Sequence, residues 1–224
     1  MKRAIIIMAK VPRAGNVKTR LHKILAPADC AALAEAFLKD AVNKAKSVCE
    51  NVFIAFSPPQ EVQKLKEILP GESNFIEQTG EDLGAKMFNA FKFAFERKID
   101  SVVMIGTDSP TFPFDFIEQA FEFLETNAEI VLGKTEDGGF YLIGQRVLRR
   151  EIFENVMWSS PQTFERVYAN IQNLGLHLRE VPGWYDVDEE ADLIKLKNEI
   201  LQNANAKRRA PHTSEWFEKS SEKF

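Results

Sequence analysis

The sequence predicts a three-layer α/β/α sandwich around a mostly parallel sheet, on two observations. Short apolar runs without polar alternation, such as Ile5–Ile7, are typical of strands that are buried on both faces. These runs alternate with amphipathic segments of helical length, which indicates βαβ units. A chain of 224 residues fits one such domain.

The elements can be assigned in chain order as far as residue 145. The first strand covers residues 3–9, and a long amphipathic helix follows at 26–48, with Pro27 and Asp29 near its start. The later predicted strands are 51–56, 74–78, 101–106, 128–134 and 138–145, and the later helices are 58–69, 81–98 and 112–127.

The pattern loosens after Arg150. We predict a helix at 160–176, a strand at 177–182 and a last helix at 186–203, whose acidic first turn suits the helix dipole. Residues 1–202 then form a single domain. Residues 203–224 are predicted as a polar C-terminal tail, which either docks through Trp216 and Phe217 or stays mobile.

Composition excludes several classes of protein. A net charge of −4 argues against a nucleic-acid-binding surface. The N-terminal apolar stretch is too short for a signal peptide, so we expect a cytoplasmic protein without a membrane span. Cys30 and Cys49 lack metal-binding spacing and are predicted to be small buried residues.

The loop after the first strand is the first candidate site. It gathers Lys10, Arg13, Lys18 and Arg20 around Gly15. Ligands of open α/β sheets bind at the carboxyl ends of strands, and backbone amides beside Gly15 and at a helix starting within residues 17–21 could hold an anion. We therefore predict a phosphate-binding loop; the alternative is a basic surface loop.

This loop is neither of the common phosphate-binding motifs. Pro12 and Val17 stand at the two glycine positions of a P-loop, and the single glycine excludes a dinucleotide fingerprint.

The second candidate is Asp108, which follows Thr107 at the end of a central apolar strand. A carboxylate in this place could hold Mg²⁺ or Mn²⁺, with phosphate oxygens and water completing the shell. The alternative is a helix N-cap, although the next helix is expected to start only after Pro113.

Two further segments carry acids. Asp137, Gly138 and Gly139 separate two strands, which is explained by a turn but also allows a ligand to approach the backbone. Asp186 and Asp188 precede the last helix. We expect one of them to face the ligand and the other to cap the helix; the alternative is that both are caps.

Four motifs in this order, AKVPRAGNVKTRL, GTDSP, DGGFYLIG and DVDEEADL, resemble those of an uncharacterised prokaryotic family of glycosyltransferase-like and radical-SAM/selenodomain-associated transferases. The chain is also distantly similar to nucleotidyltransferases of the GT-A (nucleotide-diphospho-sugar transferase-like, Rossmann-like) fold, such as the molybdenum-cofactor and 2-phospholactate guanylyltransferases.

The resemblance implies a nucleotide site with a divalent metal, Mg²⁺ or Mn²⁺. It places the phosphates at Lys10, Arg13, Gly15, Lys18 and Arg20, and the metal on Asp108 and Asp188. Thr107, Asp137, Gly138 and Gly139 fall in the matching motifs and are taken as nucleotide-binding residues.

Three functions remain open from the sequence. The first is nucleotidyl transfer from a nucleoside triphosphate to a small-molecule acceptor, with Lys18 and Arg20 neutralising the departing pyrophosphate. The second is glycosyl transfer from a nucleotide-sugar, with Asp137 or Asp186 as the base. The third is a nucleotide-binding domain without turnover.

Overall fold

A seven-stranded sheet forms the centre of the protein in the computed structural model, which describes residues 1–220. Its order is β3-β2-β1-β4-β6-β5-β7. Strand β6 runs antiparallel to β4 and β5, and the other neighbouring strands are parallel. The predicted mostly parallel α/β sandwich is confirmed. The strands are β1 (Arg3–Lys10), β2 (Val52–Ser57), β3 (Phe75–Glu77), β4 (Ser101–Ile105), β5 (Ile130–Lys134), β6 (Phe140–Gln145) and β7 (Leu178–Glu180).

Helices cover both faces of the sheet, because each strand of the centre is apolar on both sides. One face packs against α1 (Pro27–Val48), α2 (Val62–Ile68) and α4 (Asp115–Thr126). The other face packs against α3 (Leu83–Glu96) and α5 (Thr163–Asn173).

A third cluster of buried side chains joins α1 to the end of the chain. It includes residues of α6 (Glu190–Gln202), α7 (Ala204–Arg209) and α8 (Pro211–Lys219). Residues 204–209 and 211–219 are helical, and Trp216 and Phe217 are buried. Of the two alternatives predicted for the C-terminal tail, docking through Trp216 and Phe217 is therefore the one that the structure shows. Residues 221–224 of that tail lie outside the described residues.

The docking of α8 depends on Asp40, a fully buried carboxylate of α1. Asp40 accepts hydrogen bonds from the backbone N–H of His212 and Thr213, both at 2.9 Å, and from Thr213 Oγ1 at 2.6 Å. Burial raises the pKa of Asp40, and these donors oppose that rise. The first turn of α8 is thus capped from another helix, which its own sequence does not indicate.

Two smaller expectations differ in outcome. Cys30 and Cys49 are free and buried, as predicted. The segment at 17–21 begins no α-helix: a short 3-10 turn spans Thr19–Lys23, and α1 starts only at Pro27. No α-helix N-terminus therefore points at the first loop from these residues.

Every helix within residues 1–220 is too short or too polar to span a bilayer.

Candidate functional site

A cleft opens at the carboxyl ends of β1 and β4, where the sheet order makes these two strands neighbours. It has two parts. The central cavity has a volume of about 610 Å³ and the side cavity about 440 Å³. Both parts are lined by Lys10, Arg20, Thr107, Asp108 and Asp188, so the cavities form one cleft.

Most of the residues singled out from the sequence meet in this cleft. Lys18 lines the side cavity, and Asp137, Gly139 and Asp186 line the central cavity. Arg13 and Gly15 instead line a neighbouring recess of about 400 Å³ that shares Lys10 with the cleft, and Arg13 there pairs with Glu61.

Lys18 holds the two predicted metal ligands together. Its side chain is only 6% exposed, and its Nζ pairs with Asp108 and lies 3.4 Å from Asp188 Oδ1. The same ammonium donates to the backbone oxygen of Val187 at 2.7 Å and lies 5.2 Å from the centre of the Phe37 ring. Burial disfavours the charge, but the attraction of Asp108 and Asp188 outweighs it and raises the pKa of Lys18.

The backbone of Lys18 is unusual as well. Its φ of 48° and ψ of 40° lie in the left-handed region, which a residue with a Cβ adopts only at a cost. This conformation turns the side chain back under the loop toward the acids. Arg20, by contrast, is 60% exposed and reaches Asp188 Oδ2 at 3.4 Å, so its guanidinium faces the open cleft.

Asp186 and Asp188 both line the central cavity, which corrects the expectation that only one of them would. Alternate residues of an extended chain share a face, and Val187 between them is fully buried. Neither acid caps α6, because Glu189 and Asp192 form that capping box. Burial and then the neighbouring acids Asp137, Asp188 and Asp108 raise the pKa of Asp186 to about 6.

The acids suit a hard cation only in part. Within residues 1–220, no three His, Cys, Asp or Glu side chains gather as a ready metal centre. Mg²⁺ is commonly held by one or two carboxylates together with substrate phosphates and water. Asp108 and Asp188, 51% and 38% exposed, fit that arrangement once a nucleotide supplies oxygens.

The turn at residues 137–139 supports the β6 side of the cleft. Asp137 Oδ1 accepts from Gly139 N at 3.0 Å and from Thr135 Oγ1 at 2.5 Å, which fixes the turn. Gly138 has a φ of +91°, and a Cβ there would lie 2.0 Å from the carbonyl oxygen of Pro161. Gly138 lies behind the cavity wall, so its contribution is close packing.

We expect Gly138→Ala to lower the free energy of unfolding by at least ~2 kcal/mol, because it adds both backbone strain and this clash. Urea denaturation measures the loss. Gly71→Ala is the matched control: Gly71 has a φ of +89° with no atom near its added Cβ, so it reports strain alone. Equal losses of unfolding free energy in the two variants would show that the loop at Pro161 moves away from the added Cβ without cost.

A buried network ties the two acid-bearing loops together from behind. Thr111 Oγ1 donates to Glu199 Oε2 at 2.7 Å, and Trp184 Nε1 donates to Thr111 Oγ1 at 3.3 Å. The Tyr185 hydroxyl also donates to Glu199. Because Thr111 follows Asp108 closely and Tyr185 adjoins Asp186, the network fixes both loops relative to α6. A backbone hydrogen bond of 2.9 Å from Val187 N to Asp108 O adds to it.

Tyr185→Phe should cost about 1.5–3 kcal/mol of stability, the value of one hydrogen bond to a charged acceptor. Urea denaturation again gives the loss. Tyr168→Phe removes a hydroxyl that makes no hydrogen bond within residues 1–220, and it should change stability little. Equal stability of the two variants would contradict the stabilising role of this network.

Sequence reasoning missed three features of the cleft. Gln78, which follows β3, donates to the backbone oxygen of Ala55 at 2.7 Å and lines the central cavity. Lys86 of α3 and Trp158 also line it. A polar residue just past a strand end could have indicated Gln78, whereas the contribution of Trp158 follows only from the folded path of the loop before α5.

Comparisons with solved structures agree with this architecture. A proposed nucleotide-diphospho-sugar transferase from Desulfovibrio desulfuricans G20 is 26% identical and superposes with a TM-score of 0.90, covering 100% of this chain and 97% of that one. A nucleotidyl transferase from Methanothermobacter thermautotroptrophicus is 12% identical, with a TM-score of 0.58 and coverage of 90% and 98%.

A CMP:2-keto-3-deoxy-manno-octonic acid synthetase in complex with CTP is 14% identical, with a TM-score of 0.56 over 90% of this chain and 99% of that one. The last two likenesses establish the fold alone. The structural neighbours are thus transferases that act on nucleotides or nucleotide-sugars.

A comparison with curated protein sequences finds no match. The family profile described as "Uncharacterized protein conserved in bacteria (DUF2064)" matches residues 43–160, more than half of the sequence, and the chain belongs to this family.

Proposed function

We propose that this protein is a nucleotidyltransferase that joins a nucleoside monophosphate to a small-molecule acceptor and releases pyrophosphate. The observation that carries the proposal is the facing arrangement of cations and carboxylates in one cleft. Lys10 and Arg20 stand on one side, and Asp108 and Asp188 stand on the other, held by Lys18. The nucleotidyltransferase fold of the structural neighbours supports the same reading.

The residues would divide the work as follows. Lys10 and Arg20 bind the β- and γ-phosphates and neutralise the charge that builds on the departing pyrophosphate. The acceptor oxygen forms a bond to the α-phosphorus as the bond to the β-phosphate oxygen breaks. Catalysis is then mostly orientation and charge stabilisation, without a covalent intermediate.

Asp108 and Asp188 would hold a divalent cation, Mg²⁺ or Mn²⁺, which supplies positive charge beside the α-phosphate. Lys18 keeps the two carboxylates aligned for that task. To reach a phosphate itself, as expected from the sequence, Lys18 would have to leave both acids. Thr107 is proposed as a further contact of the nucleotide. Asp137 and Gly139 line the β6 side of the cavity, and Gly138 behind them packs against Pro161.

Thermal-shift measurements test this function directly. ATP, CTP, GTP and UTP should be compared with UDP-glucose and GDP-mannose, each with and without Mn²⁺. We expect one triphosphate to raise the melting temperature in a Mn²⁺-dependent manner and to release pyrophosphate when acceptors are supplied. Stabilisation by a nucleotide-sugar but by no triphosphate would reject nucleotidyl transfer.

Glycosyl transfer from a nucleotide-sugar is the second candidate. The 26% identical relative described as a nucleotide-diphospho-sugar transferase favours it, because that structure covers the whole chain. The same cations would then bind a departing nucleoside diphosphate, and Asp137 or Asp186 would be the base. Binding of a nucleotide without any product would instead indicate a domain that binds and does not turn over.

A further inference from the structure

We propose that the β6 side of the central cavity is the acceptor subsite and that it takes a neutral alcohol with an apolar or aromatic body. This inference rests on the proposed nucleotidyl transfer and deepens it. Its basis is the uneven distribution of charge and apolar surface in the cavity.

The sheet order divides the cavity along β4. Asp108 follows β4, with β1 on one side of that strand and β6 on the other. Lys10 and Arg20 enter from the β1 side, whereas Phe140, Trp158 and Pro161 line the cavity from β6 and the loop beyond it. Lys86 of α3 is the cation that lines the cavity away from β1 within the described residues, and the carboxylates of Asp137 and Asp186 line it there as well.

This charge distribution disfavours an anionic acceptor. Asp137 and Asp186 lie on this side and outnumber Lys86, the cation that α3 contributes to the lining, whereas Asp188 is already paired with Lys18 and Arg20. A phosphate or carboxylate entering there would meet carboxylates of like charge. An uncharged acceptor meets no such repulsion.

The apolar surface there is held in place by close packing. A Cβ on Gly84 would lie 2.5 Å from the ring of Trp158, so glycine allows the indole to pack directly on the start of α3. The Trp158 ring also lies against Phe153, with 6.4 Å between the ring centres. Leu83, next to Gly84, lines the same cavity and is 42% exposed, which is high for a large apolar side chain. Rigid aromatic surface with an exposed apolar rim is typical of a pocket for an apolar ligand.

The geometry of transfer places the acceptor on this side. Attacking and leaving oxygens lie roughly in line at the reacting phosphorus. If Lys10 and Arg20 hold the departing pyrophosphate on the β1 side, the attacking oxygen comes from the β6 side. The alcohol oxygen then bonds to the α-phosphorus, pyrophosphate leaves, and the hydroxyl proton passes to a carboxylate of the cleft.

Two probes of different charge test the subsite: 2-phenylethanol as a neutral aromatic alcohol, and glycerol 3-phosphate as an anionic one. Binding of each to the full chain is titrated by saturation-transfer NMR, with and without the nucleotide and Mn²⁺. We expect 2-phenylethanol to bind and glycerol 3-phosphate not to. Leu83→Gln and Trp158→Leu should each lower the affinity for 2-phenylethanol about tenfold, as expected for the loss of one apolar contact. Both variants should leave the nucleotide-induced thermal shift unchanged.

Leu174→Gln is the matched control, because Leu174 is 37% exposed at the end of α5 and does not line the cavity. The melting temperatures of the unliganded variants show whether each has folded; Leu83 is exposed enough for Leu83→Gln to fold if Trp158→Leu does not. Tighter binding of glycerol 3-phosphate than of 2-phenylethanol would overturn the proposal. The proposal would also be overturned if the variants weakened nucleotide binding but left the binding of 2-phenylethanol unchanged, since this surface would then bind the nucleobase. If no nucleotide binds but the alcohol does, and the variants weaken it, the proposed transfer fails while the apolar subsite stands.

Discussion

Replacing Lys18 with methionine is expected to lower kcat by about 100-fold or more while leaving most molecules folded. The variant loses the ammonium that aligns Asp108 and Asp188 in the folded protein. Methionine keeps most of the length and volume of the side chain but removes the charge, and with it both ion pairs and the contact of the ammonium with the Phe37 ring. Turnover is measured as pyrophosphate release, and folding is measured by thermal and urea denaturation.

The cost in stability should be moderate, about 1–3 kcal/mol. Removing one partner of a fully buried ion pair typically costs more, but here both carboxylates are partly exposed and water can solvate them. Asp186 adds to the cost, because it lies in the same negative field.

The same variant gives a second readout that does not depend on turnover. Lys18 Nζ stands between the two carboxylates, where a divalent cation would also be attracted. Lys18→Met should therefore bind Mn²⁺ more tightly than the wild type in the absence of nucleotide, as measured by electron paramagnetic resonance. Lys23→Met is the control, since Lys23 is exposed in the same short turn and lies outside the cleft. Unchanged Mn²⁺ affinity together with full turnover would reject the alignment role.

The sheet and the position of the cleft could be predicted because both follow from local sequence patterns. The run Ile5–Ile7 is apolar at consecutive positions and rich in β-branched residues, which is typical of a strand covered on both faces. Once β1 and β4 are identified as parallel strands, Asp108 and the first loop must emerge at the same edge. The prediction of their proximity needed no knowledge of side-chain directions.

The finer features depend on contacts between distant parts of the chain. Lys18 and Asp188 are 170 residues apart in sequence, and both their contact and the left-handed backbone of Lys18 form only in the folded chain. Asp40 is similar: as a polar residue on the long first helix it shows no local sign of capping α8. The two acids around Val187 were misjudged for another reason. Alternate residues of an extended chain share a face, so their spacing alone already placed both acids on one side, and the buried Val187 between them agrees with this.

Asp108→Asn is expected to reduce turnover by about 1,000-fold, the largest effect expected among the cleft residues. The amide keeps the size of the side chain and can still accept a hydrogen bond from Lys18, so stability should fall by no more than about 1 kcal/mol. The loss should appear in kcat and in the Mn²⁺ dependence of nucleotide binding. Asp115→Asn, at an exposed position in the first turn of α4, is the matched control.

Combining Lys18→Met with Asp108→Asn then tests whether the two side chains act as one unit. Because Lys18 Nζ contacts the Asp108 carboxylate directly, the effects on turnover should be far from additive, and the double variant should be little worse than Asp108→Asn alone. Additive losses would mean that Lys18 acts on the nucleotide independently, for example on a phosphate. A Mn²⁺-dependent thermal shift that survives in Asp108→Asn would remove Asp108 from the cation site, and Asp188 would then have to bind the cation with other ligands.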